Sequence, residues 1–223
     1  MTGFYIDPRI QTYPPHHRFR YSTGWDLRDP QLVTTNNCGF VSDRDFVRDP
    51  SAVALIGDSY AEAASLPVPD RPGAQLERAL GGGRPVYAMG AAGTALLDYA
   101  ERIRFAHENF GICDFVIMME RSVARQSLCG SGNVVSQCLD PTTLAPRTEV
   151  PGQPAQIKRL LRHSAFAQYL ASQLKVVPSR LIGQVFTRAV PAQAAVAAVS
   201  GARGADQTLR HKIDAVAKAF LSA

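Results

Sequence analysis

The sequence predicts an α/β domain with a parallel sheet in three layers, and three observations carry that prediction. Short, fully apolar runs recur at 53–56 (VALI), 85–89 (PVYAM) and 115–119 (FVIMM). Stretches of helical periodicity separate them, and every connection is short. A β-α-β-α-β order over residues 53–119 specifies parallel strands with helices on the sheet faces.

Each element has its own reason. VALI ends at Gly57 and runs straight into small residues, as a strand buried on both faces does. Pro67 and Pro69 then break the chain. Residues 72–80 read as a helix, with Pro72 in its first turn and Gly81 just past its end. The second apolar run stops at Gly90, with Gly93 following. Leu96, Ala100, Ile103, His107 and Phe110 are spaced by four, three, four and three, which makes one helical stripe facing a core. Residues 120–150 read as a long loop, and loops of that length in compact domains are often functional. Helices are expected at 155–175 and 206–222; in the second, Leu209, Ile213, Val216 and Phe220 form the apolar stripe. The Ala/Val-rich stretch at 189–199 fits more than one state.

The organisation expected is an irregular N-terminal arm (1–50), rich in Pro, Arg, Asp and Asn, followed by the α/β domain (51–223). The chain has 223 residues, is 46% hydrophobic and 19% charged, and carries a formal net charge of +5. Its Lys and Arg are scattered and not interleaved with aromatics, so nucleic acid is not an expected partner. No stretch reaches the roughly 20 apolar residues of a membrane-spanning helix, and the first ten residues do not read as a signal peptide. Oligomeric state is not readable.

The four cysteines contain no C-x-x-C pair, and no cofactor or metal is expected. Asp58 alone, without companion ligands, is not a metal site. The glycines at 81–83 follow a helix and lack a downstream G-K-[ST], so they are not a phosphate loop. Cys129 and Cys138 bracket a small, polar segment. They are either a loop-closing disulfide or two free thiols; a disulfide would point to a periplasmic or extracellular setting, free thiols to a cytoplasmic one.

The chemistry concentrates in ALIGDSYAEAASLP (54–67). A strand that stops at Gly57 and turns at once into a helix presents Ser59 at the carboxyl edge of the sheet, among unpaired N–H groups. The alternative is a serine that merely caps a helix. G-D-S in this place, followed by a second strand ending in MGAAGTALLDY (89–99), resembles the first two blocks of the GDSL, or SGNH, hydrolase family. NNCGF (36–40) resembles the lead-in of bacterial members that act on cell-surface polysaccharides. The resemblance spans roughly residues 34–120.

It implies a flavodoxin-like sheet and Ser59 as nucleophile. It also implies oxyanion donors from the N–H groups of Ser59 and Gly93, with Gly90 as the alternative, and Gly57 and Asp58 as turn supports. The implied function is a serine ester hydrolase removing acyl groups, acetyl above all, from a carbohydrate or another small ester. An O-acyltransferase using the same serine, or a non-catalytic module binding a glycan or a partner, are the alternatives.

Two blocks depart from the family. Its G-x-N-D is replaced by MERSVARQ (119–126), where Glu120, Arg121 and Ser122 end the third strand and Asn133 lies further along. Its D-x-x-H is not found, because none of His16, His17, His107, His163 and His211 has Asp three positions earlier. With only three clear strands, the sheet is expected to be incomplete at the C-terminus, with the base and its acid beyond Ala223 or elsewhere. His107 is expected in the core or at a helix end, His163 and His211 on the surface, and His16 and His17 in the arm.

Overall fold

The computed structural model describes residues 2–22, 29–120, 123–129, 137–148 and 202–222. The helix expected at 155–175, the 189–199 stretch, and Arg121, Ser122, Asn133 and His163 lie outside them.

The chain divides into two compact units. The first holds residues 1–22, residues 29–151 and the end of the last helix. The second comprises residues 23–28 and 152–211 and is described only at 202–211, the first half of that helix.

The central sheet has three parallel strands, β5 (Val53–Gly57), β6 (Val86–Gly90) and β7 (Asp114–Ile117), in the order β6-β5-β7. The first strand of the motif therefore lies in the middle. The chain passes from it to one side through α1 (Ser59–Glu62) and α2 (Pro72–Ala79), then crosses it through α3 (Leu96–Phe110) to reach β7. This is an α/β architecture with helices flanking a parallel sheet.

Alternation along the strands sorts the two faces. Ala54, Ile56, Tyr87 and Met89 join α3 residues such as Leu96, Tyr99, Ala106 and Phe110 in the larger core. Val53, Leu55 and Val86 face the other way, onto Ala61 of α1, with Leu76 of α2 beside them. Burial on both sides explains why β5 is apolar throughout. β7 instead alternates, with Val116 38% exposed.

The arm differs from the irregular segment expected. It holds two antiparallel hairpins, β1 (Gly3–Asp7) with β2 (Ile10–Thr12), and β3 (Arg18–Tyr21) with β4 (Gln31–Thr34). Their strands are three to five residues long and mixed in polarity, too short for a period-2 signal to stand out. Phe46 then inserts into the main core, stacked on Tyr87 at 4.4 Å and edge-on to Phe110 at 5.8 Å.

The 120–150 segment also has more order than a loop. It contains α4 (Val123–Gln126) and a hairpin of β8 (Gln137–Leu139) with β9 (Pro146–Thr148). A disulfide joins Cys129 to Cys138, their Cα atoms 5.0 Å apart, and both sulfurs sit in the main core cluster. The last helix, α5 (Ala202–Ser222), contributes Val216 to the first unit's core.

Candidate functional site around Ser59

Ser59 stands where the sequence places it, exposed, at the first position of α1 directly after the central strand. The turn is built by its neighbours. A Cβ on Gly57 would lie 2.8 Å from the Ala61 Cβ and 3.1 Å from the Met118 carbonyl, so β5 and α1 meet this tightly only through glycine. Asp58 is buried, and its Oδ1 accepts the Tyr60 N–H at 2.9 Å. That is a capping contact, consistent with a turn support.

Gly90 brings the second strand against the same helix. A Cβ there would sit 2.1 Å from the Glu62 N and 2.5 Å from the Ala61 carbonyl carbon. The backbones of β6 and α1 are thus in direct contact. Beyond Gly90, the Ala92 N–H donates to Glu62 Oε2 at 2.6 Å. This clamps the loop that carries Gly93 onto the helix that carries Ser59. Gly93 has φ of 80° and is partly exposed. Among the described residues, neither its N–H nor that of Ser59 is engaged in a hydrogen bond.

Three buried polar residues under this junction were not singled out from sequence. Glu62 is 4% exposed and also accepts from the Tyr13 hydroxyl at 2.8 Å, which ties the arm to α1. Burial raises its carboxyl above the ordinary range, against the pull of its two hydrogen bonds. Arg102 is 1% exposed, and its Nη1 donates to the carbonyls of Gly57 (2.8 Å) and Met89 (3.2 Å), stitching the ends of β5 and β6 together. Burial pulls its guanidinium down from its ordinary value, with Asp98 opposing. Asp98 in turn accepts the Ala95 N–H at 3.0 Å, fixing the start of α3 beside the Gly93 loop. The signal for Arg102 was a charge three residues after Tyr99 on the inner side of α3. The stripe drawn through Ile103 and His107 lies to one side of the buried face.

His107 is a correction to the core reading. It is exposed at the end of α3, its Nδ1 3.1 Å from the Ile112 carbonyl, so the helix-end alternative holds. That end of α3 feeds the amino end of β7, away from the strand tips where Ser59 stands. His211 is exposed. His16 and His17 are exposed on the arm, and His16 Nδ1 is 3.8 Å from Asp45 Oδ1. Among the described residues the Ser59 hydroxyl has no hydrogen-bond partner, histidine included. No group of metal-ligating side chains occurs among them.

A cleft of about 320 Å³ lies beside the serine, lined by Asp58, Tyr60, Met118, Met119 and Glu120. It opens between the tips of β5 and β7, where the chain has gone to opposite sides of the central strand. Open α/β sheets bind ligands at that crevice. A larger cleft, of about 580 Å³, touches α1 at Ala61 and Glu62 and is walled by α2 and the arm. The smaller cleft is the one that belongs to Ser59, because the residues on either side of that serine form its wall.

Comparison with protein-family models, with curated proteins and with solved structures finds no match to this chain. Among the described residues, no helix is long and apolar enough to cross a membrane.

Proposed function

We propose that this chain is an SGNH-type serine ester hydrolase acting on an acylated carbohydrate or another small ester, with Ser59 as its nucleophile. The observation that carries this reading is the exposed Ser59 at the tip of the middle strand, on a helix whose backbone lies against Gly90. In such a reaction the Ser59 hydroxyl adds to the ester carbonyl as a base takes its proton. The N–H groups of Ser59 and Gly93 receive the oxyanion, each donor worth roughly 10²–10³ in rate. The alcohol leaves with a proton, and water then resolves the acyl-enzyme. If a sugar hydroxyl resolves it instead, the same site is an O-acyltransferase.

One observation favours the second reading, a non-catalytic module that binds a glycan or a partner. A serine hydroxyl is a weak nucleophile without a base in reach, and no described histidine contacts Ser59. His16 and His17 are the described histidines on the segment tethered to α1 through Tyr13. Hydrolysis of p-nitrophenyl acetate by the protein and by Ser59→Ala separates the two. The hydrolase reading expects turnover that the substitution abolishes. Equal turnover by the variant removes Ser59 from the mechanism, and no turnover by either, together with a Ser59 that a fluorophosphonate leaves unmodified, favours the binding module.

A further inference from the structure

The larger cleft contains a cation that makes no ion pair among the described residues. Arg71 is 6% exposed, at the N-cap of α2, and lines the cleft. Its one side-chain hydrogen bond among the described residues runs from Nε to the Leu66 carbonyl, at 3.1 Å. Its Nη2 is buried with no partner. A buried guanidinium with an open edge is costly, because arginine keeps its charge and its donors want oxygen.

The neighbouring cations are already used. Arg44 holds Glu77 through two hydrogen bonds, of 2.9 and 3.0 Å, and Arg78 donates to the Pro69 carbonyl. Glu62 is occupied by Tyr13 and Ala92, and Asp43 is exposed at the rim. Both carboxylates act on Arg71 only at longer range.

A second feature points into the same space. The first turn of α2 lacks a side-chain cap, and Pro72 removes one donor. The N–H groups of Gly73 and Ala74, both lining the cleft, are the helix's unpaired donors. Unpaired N–H groups at a helix start and a guanidinium fork are two devices that hold the oxygens of carboxylates and phosphates. The rest of the wall is mixed: Val41, Val68, Val86 and Ala88 supply apolar surface, and the carboxylates of Glu62 and Glu77 that also line it are already engaged by Tyr13, Ala92 and Arg44. A volume of about 580 Å³ suits a ligand of sugar size.

We propose that this cleft binds a small ligand bearing a carboxylate or a phosphate, its oxyanion held by Arg71 and the N–H groups of Gly73 and Ala74. The site does not depend on Ser59 chemistry and stands or falls separately.

Calorimetric titration tests it, with glucuronate, a hexose phosphate and inorganic phosphate as probes and glucose as the neutral control. At least one anion should bind, with glucose weaker by about tenfold or more. Binding of glucuronate alone identifies a carboxylate ligand; binding of the phosphates alone identifies a phosphate. Arg71→Gln should weaken binding by at least about tenfold, the loss of one charge-assisted pair. Ala74→Leu puts a larger side chain into the cleft wall while leaving Arg71 in place, and should abolish binding. Glucose binding as tightly as the anions, no binding by any anion, or binding that survives both substitutions would overturn the proposal.

Discussion

Gly90→Ala is the sharpest perturbation of the junction that holds the site. A methyl group there would lie 2.1 Å from the Glu62 N, 2.5 Å from the Ala61 carbonyl carbon and 2.7 Å from the Glu62 Cα. All three are backbone atoms of α1, so no rotamer change relieves the clash. Strand or helix must move. Overpacking a close-packed site typically costs 1–3 kcal/mol, and a clash with backbone belongs at the top of that range, about 3 kcal/mol. For a chain of this size that lowers the melting midpoint by about 6–12 °C. The same movement shifts Ser59 away from the Gly93 loop, so any esterase activity should fall further than stability does. Thermal unfolding followed by circular dichroism gives the first quantity, and activity well below the melting range gives the second. Gly83→Ala is the control, since nothing lies within 4 Å of a Cβ at that position. A Gly90→Ala variant that melts with the control would refute the contact between β6 and α1.

The remaining predictions concern a crosslink and a buried carboxyl. The bond between Cys129 and Cys138 closes a loop of nine-residue separation and should contribute about 2–3 kcal/mol. Reduction should lower the midpoint accordingly, and thiol titration of the oxidised, denatured protein should find two free cysteines, Cys38 and Cys113; four would contradict the bond. Cys38 should react slowly in the native state, since burial pushes its thiol up to about 11, and prompt reaction would contradict that burial. Glu62 has a carboxyl raised by burial. A raised group contributes stability below its unfolded-state value and loses it as pH rises through the folded one. The stability of Glu62→Gln relative to the parent should therefore increase with pH through that range; a relative decrease would show that the ionised form is the favoured one.

What the sequence revealed and what it concealed follow from the physics of each segment. The strands at 53–56 and 85–89 were legible because burial on two faces leaves an unbroken apolar run; the run at 115–119 was equally apolar although its strand, β7, is half-exposed, and the structure places all three within a residue or two of those limits. The turn at Gly57 was legible because only glycine permits the contact with Ala61 and Met118. The hairpins of the arm were not, since three- to five-residue strands with mixed polarity carry too short a pattern. Arg102 and Glu62 were missed because a charge on a helix usually faces water. Here each is buried to pair backbone groups that the strand ends leave open, Gly57 and Met89 for one and Ala92 for the other. The disulfide stayed ambiguous because loop composition permits closure without requiring it. Strand order was not readable residue by residue; it follows from the two crossovers that leave β5 in the middle.

The most direct test of the nucleophile is covalent trapping. Treating the protein with a fluorophosphonate and mapping the adduct by peptide mass spectrometry should find it on Ser59, within the peptide that spans the end of β5 and α1. An adduct on another serine, or ester turnover that continues while Ser59 stays unmodified, would contradict the account.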